Sequence, residues 1–492
     1  MIAQTETSSA IPASSDEKRQ WWLFCLLIGL LKVVLLVLDP LPKMFIGDSA
    51  CYISTALVGW IPDDRSYFYG FVIRWVSLAT GSLTSLLLLQ CVIGAATAIL
   101  LAHICRSTFG LSARVSYVLG FICALDPLQL VWERYVMTET ISLFLYVAVL
   151  HYAFRYLKGR RLRDLAFVQG LAILVLGFRM SYLLLVQISA VFLPIVAFAP
   201  LLWTAWRNRR DPQPERWRSL KVAFGHGLAS IALMFLLHGG YRQLNGLLCG
   251  REPAYLYATG LHLLAFWAPV VTPADATDPR LAEIIGQGEE FEIKDLTARN
   301  RQRFDPDYLV DRWQQAEPDI SDASQIAKET ALRALRRAPL QVLGLAAQTF
   351  AQYWNLKDLR SYASIDLGHH DLTSEQRDVL SEYFHFATDG WIVGAPPTLL
   401  QHFFLNCWPY CYFVLLSPLL GLWAVYVARD KQIALLLLLH LSIILGVTFT
   451  FTVAPSLRYL QPASLLTLLT VALCLRAYLD GRSLKEVAIS QR

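Results

Sequence analysis

Two acids and a group of arginines stand at the edges of otherwise apolar runs, and chemistry is expected there. Asp48, in FIGDSACY, follows the first apolar run, and Glu139, in MTETISLF, opens a later one. A carboxylate so placed can take the proton of a hydroxyl as it attacks an electrophile, a general-base role. The plain alternatives are a helix cap for Asp48 and, for Glu139, a water-exposed carboxylate or a partner for Arg134. Arg134 (VWERYV), Arg179 (GFRMSY) and Arg458 (PSLRYLQP) fall in three short turns, with Arg65 as a weaker fourth. Guanidinium stays charged, and its fork of donors suits phosphate oxygens; singly, each arginine could snorkel to lipid headgroups. Asp63 and Asp64 follow Pro62 in a turn, backed by Tyr67, Phe68 and Tyr69. With Glu133 and Tyr459 they are candidate substrate contacts, and Tyr67, Tyr69 and Trp391 could stack on a sugar face. Thr138 is expected to cap the helix that Glu139 begins. Lys32 lies deep in the first run, where it needs a carbonyl or carboxylate partner. His369, His370, His385 and His402 show no ligand spacing, and no metal site is expected.

The elements that must position these residues follow from composition. The chain has 492 residues, 55% hydrophobic and only 16% charged. Soluble domains carry about 25% charged residues, and a soluble fold could not cover so much apolar surface. Soluble, disordered and fibrous classes are excluded, leaving an all-α integral membrane protein. Apolar runs centre on 21–38, 83–104, 115–124, 141–154, 165–178, 182–203, 222–237, 403–427, 433–452 and 457–475. A bilayer needs about 20 such residues per helix, so about ten spans are expected, the first an uncleaved one. The nine cysteines lie mostly in apolar runs and read as small hydrophobes.

The loops set the expected orientation. Arg155, Lys158, Arg160, Arg161 and Arg163 fill one loop, and Arg207, Arg209, Arg210, Arg216, Arg218 and Lys221 another. The positive-inside rule places these, and both termini, in the cytoplasm; lying between spans, they are not a nucleic-acid surface. The expected organisation is a tail at 1–20, an N-terminal membrane module at 21–238 with an outer loop at 39–81, an extracytoplasmic region at 239–398 with amphipathic helices, C-terminal spans at 399–478 and a tail at 479–492. The half-apolar stretches 255–271 and 339–354 lie in the interface on this reading; if both crossed, the count would be twelve.

The order of these features resembles the C-type glycosyltransferase superfamily, the polytopic enzymes related to protein O-mannosyltransferases and to bacterial aminoarabinose and arabinose transferases. The resemblance rests on the acid after the first span, the TET at the start of the fourth, the arginine closing the fifth and RYLQP near the last. It covers roughly residues 20–200 and 400–480. It implies a multi-pass inner-membrane enzyme that moves a sugar from a polyisoprenyl-phosphate donor to a lipid, glycan or protein acceptor at the extracytoplasmic face. Asp48 and Glu139 resemble the family's loop acids; Arg134, Arg179 and Arg458 resemble its donor-phosphate cations. No cofactor is implied, and a divalent ion bridging Asp48 and the phosphate stays open. The chain departs in having one acid, Asp48, where members often have a pair, and fewer spans. The competing readings are a transporter or lipid flippase, and a non-catalytic subunit of envelope polysaccharide assembly.

Overall fold

The computed structural model describes residues 15–207, 214–367, 372–386, 388 and 397–490; Arg209, Arg210, His369, His370 and Trp391 lie outside them. The described chain is helical, with one isolated β-bridge between Lys43 and Tyr135. Among the described residues, seven helices are long and apolar enough to cross a membrane: Ser15–Leu38, Leu83–Ser107, Glu139–Gly159, Met180–Thr204, Ser219–Cys249, Lys431–Phe451 and Leu457–Gly481. Two bent pairs raise the number to nine if each is one span: Ala113–Ala124 with Pro127–Arg134, bent by 49°, and Trp408–Leu415 with Ser417–Val427, bent by 48°. Each break falls beside a proline, Pro127 or Pro418, whose ring and missing N–H interrupt the hydrogen-bond ladder. Outward-facing Leu26, Val37, Phe224, Leu236 and Leu247 are exposed, the reverse of a soluble surface.

The fifth expected span, 165–178, folds within the 17-residue helix Leu162–Phe178, at the short end of the about 17–25 residues that a spanning helix uses. The stretch 255–271 contains only the eight-residue helix Thr259–Phe266, about 12 Å long, which cannot cross. It packs instead in a small separate core with Leu309, Trp313, Ala327 and Ala331. Gly260 is required there: a Cβ would sit 1.8 Å from the Ser324 carbonyl oxygen. The stretch 339–354 forms the helix Pro339–Trp354, which lies against Lys431–Phe451. All nine cysteines are free.

We label as α1 the helix Ser15–Leu38, α2 Ile46–Val58, α3 Glu139–Gly159, α4 Leu162–Phe178, α5 Leu356–Asp366 and α6 Gln461–Ser490. α3 and α4 are antiparallel neighbours, so the start of α3 and the end of α4 share one end of the bundle. The segment after α1 is tied to that end by Lys43 N–H donating to the Arg134 carbonyl at 2.7 Å and Val136 N–H to the Lys43 carbonyl at 2.9 Å. The opposite end carries the basic turn, where Arg155 pairs with Asp164 at 3.2 Å and Arg160 donates to the Ala197 carbonyl at 3.0 Å.

Candidate active site

α2 begins at Ile46 and is closed by Gly59: at φ 73° Gly59 ends the helix in the left-handed region, which glycine enters without steric cost. Asp48 stands in its first turn, where the helix dipole favours a negative charge. It is not a cap. The N-cap residue is Phe45, which makes no side-chain cap bond, and both Asp48 oxygens go elsewhere. Oδ1 accepts from Arg65 Nη1, and Oδ2 accepts from Arg458 Nη1 at 2.8 Å.

From this carboxylate an alternating chain of charges runs both ways. Arg65 also makes a two-pronged pair with Asp64, Nε to Oδ1 at 2.9 Å and Nη2 to Oδ2 at 2.8 Å. Burial opposes the Arg65 charge, but Asp64 and Asp48 outweigh it and hold the guanidinium protonated more firmly than usual. Burial alone would raise the Asp64 carboxyl; the Arg65 bonds outweigh that and keep it below the ordinary carboxylate range. In the other direction Arg458 Nε donates to Glu139 Oε1, and Arg179 Nη1 lies 3.5 Å from the same oxygen. Arg179 also donates to the Arg458 carbonyl at 3.3 Å and to Gln461 Oε1 at 3.4 Å. The Tyr459 ring lies beside both guanidinium groups, 5.4 Å from Arg179 and 5.9 Å from Arg458, and Phe45 lies 4.8 Å from Arg458. Thr138 makes no side-chain cap bond; its hydroxyl donates to Glu139 Oε2 at 3.4 Å.

Asp48, Asp64, Arg65, Glu139, Arg179, Arg458 and Tyr459 are thus brought together. The other candidates are not. Arg134 is fully buried and donates to the Asp39 carbonyl at 2.9 Å and to Cys91 Sγ at 3.0 Å. Its backbone carbonyl accepts from Lys43 N–H at 2.7 Å, and its Nη1 also lies 3.7 Å from Glu133 Oε2. Glu133 pairs with Lys32 at 2.5 Å, and Lys32 donates also to the Ala124 carbonyl at 2.9 Å. This supplies the partner Lys32 needs: breaking such a buried pair from one side costs about 3–5 kcal/mol. Asp63 anchors the segment 251–258, pairing with Arg251 while its carbonyl accepts from Tyr257 N–H at 2.8 Å and Ala258 N–H at 3.0 Å. Tyr69 is buried with its hydroxyl on Gln90 Oε1 at 2.7 Å, and Tyr67 packs on Phe68 and Phe71.

One residue that sequence reasoning passed over belongs here. Asp366, at the end of α5, accepts from Ser456 Oγ at 2.8 Å and from the N–H groups of Leu457 at 2.7 Å and Arg458 at 3.3 Å. It thereby holds the turn that carries Arg458. Burial raises its carboxyl to about 6, with the Ser456 and Arg458 contacts opposing. His262 and Arg303 approach from the region of the small separate core, Arg303 Nε lying 3.2 Å from His262 Nδ1; burial, then Arg303, lower His262 to about 4.

Chemically, the cluster offers guanidinium forks for an anionic oxygen group and a carboxylate, Asp48, that is one-fifth exposed. Among the described residues no three His, Cys, Asp or Glu side chains converge as a metal-binding group. The geometry and fold define an α-helical protein with several membrane-length helices and an acid–arginine cluster where their ends meet. Comparisons with family models, curated proteins and solved structures find no match to the chain.

Proposed function

We propose that the chain is a membrane glycosyltransferase that moves a sugar from a polyisoprenyl-phosphate donor to an acceptor hydroxyl at the extracytoplasmic face. The observation that supports this best is the run Asp64–Arg65–Asp48–Arg458–Glu139–Arg179, assembled from four separate parts of the chain. In the proposed step the acceptor oxygen attacks the anomeric carbon and its proton passes to an Asp48 oxygen. The bond from that carbon to the phosphate oxygen breaks, and the electron pair leaves on the phosphate. Arginines Arg65, Arg179 and Arg458 meet that charge, so the leaving group needs no proton. Glu139 holds Arg458 and Arg179 in place.

The test is transfer from a lipid-linked donor by purified protein. Asp48→Asn should lower transfer about 10²–10⁴-fold with normal membrane insertion. Arg458→Lys keeps the charge but loses the fork, so transfer should fall there too. Arg179→Ala should weaken donor binding by about 2–5 kcal/mol. Full transfer by Asp48→Asn, or equal donor binding by all variants, overturns the proposal. A second reading, a lipid flippase, draws on the buried Lys32–Glu133 pair, since ionic groups within spans mark transport paths. It requires lipid movement across vesicles without sugar transfer.

A further inference from the structure

We propose that in the free protein Asp48 occupies the seat of a phosphate ester, and that donor binding displaces it and so releases the base. The inference rests on the glycosyltransferase reading and adds to it an order of events. Arg65 and Arg458 face each other across one carboxylate, each taking a different oxygen of Asp48. Each guanidinium is braced behind by a second acid, Asp64 for Arg65 and Glu139 for Arg458. The forks are therefore held in position around a gap that a carboxylate fills and that the oxygens of a phosphate ester suit equally.

Shared donors make the exchange necessary. The Nη1 groups of Arg65 and Arg458 that hold the two Asp48 oxygens are the donors a phosphate ester would take, so one anion must yield the forks to the other. Asp48 is the acid placed to move. Its side chain is 20% exposed whereas Glu139 is 0% exposed, and it rides on the short helix α2 while Glu139 begins a span-length helix. With both oxygens held by arginines, Asp48 is poorly placed to accept a hydroxyl proton. Once phosphate takes those donors, the carboxylate is free beside the anomeric carbon. Base and donor are coupled, so an acceptor arriving first meets a masked base.

The experiment uses the full chain in lipid nanodiscs with a long-chain polyprenyl phosphate as probe, and polyprenol and inorganic phosphate as separate arms. Removing the competing carboxylate in Asp48→Asn and Asp48→Ala should tighten polyprenyl phosphate binding at least about fivefold, the lower end of usual coupling, while transfer is lost. Polyprenol binding should not change. Tightening with inorganic phosphate as well supports a site for phosphate from either source; tightening with the lipid alone supports a lipid headgroup site. On wild type, carbodiimide labelling of Asp48 should rise when polyprenyl phosphate is added, which needs no variant to fold. Equal or weaker binding by both variants, or labelling that does not rise, overturns the exchange. No binding by wild type or variants overturns the glycosyltransferase reading itself.

Discussion

Asp366 illustrates how much one carboxylate can govern. It was not among the expected site residues, yet it grips Ser456, Leu457 and Arg458 through three donors. Its folded pKa of about 6 lies above the ordinary 3.8. The folded chain therefore binds that proton more tightly than the unfolded one. The resulting stability is full below about 4 and is lost as pH rises through 6. The ionised form holds the Arg458 turn best but is the less stable one. Transfer by wild type should fall as pH drops through about 6, and Asp366→Asn should lose this acid limb while melting no lower than wild type at pH 8. A pH–rate profile with a melting curve in detergent checks both; an unchanged acid limb in Asp366→Asn would assign the titration to another group.

At the scale of elements, the site depends on short connections between helices rather than on the long helices alone. α2 is fixed by the Lys43–Arg134 and Val136–Lys43 backbone bonds, and by Ser49 Oγ donating to the Val136 carbonyl at 3.0 Å. The region of the small separate core is docked by Asp63 on Arg251, Tyr257 and Ala258, and is built around the close approach at Gly260. Gly260→Ala places a methyl group against the Ser324 carbonyl and the Lys328 backbone N, 2.7 Å away. Rigid backbone cannot yield as a side chain can, so the segment should lose about 1–3 kcal/mol. Limited proteolysis should then cleave within 255–337 well before the membrane helices are lost. Equal protease resistance in Gly260→Ala and wild type would contradict the tight packing.

For the whole molecule, the proposed function needs the Asp48 cluster on the extracytoplasmic side. The basic turn Arg155–Arg163 lies at the opposite end of the bundle, which favours that end for the cytoplasm. A reporter fused after Lys158 should therefore read cytoplasmic, and one fused near Asp305 extracytoplasmic. A cytoplasmic signal at Asp305 would put the cluster on the side away from lipid-linked sugars displayed outside, and the proposed reaction would have to be abandoned. The short helix Thr259–Phe266 bears on the same point, since eight residues cannot carry the chain back across the bilayer.

The sequence by itself determined the class: hydropathy is local, and runs such as 21–38 and 433–452 must be helices wherever they end up. It also singled out Asp48, Glu139, Arg179 and Arg458, because an ionisable side chain at the edge of an apolar run is costly unless something holds it. Which of those charges meet was decided only by tertiary structure. Arg134, Arg179 and Arg458 have similar local settings, an arginine in a short turn, yet Arg134 turns under Asp39 toward Cys91 while the other two converge on Glu139. Side-chain direction follows from how turns pack on one another, and no spacing along the chain encodes it. Asp366 was invisible for the same reason: one acid among many in a polar segment, it gains meaning from lying against Ser456 and Arg458, about ninety positions away. Where a span bends was also decided by tertiary structure: 115–124 and 403–427 read as plain apolar runs, yet among the described residues each belongs to a helix pair bent by 49° or 48° beside a proline, which average hydropathy does not carry.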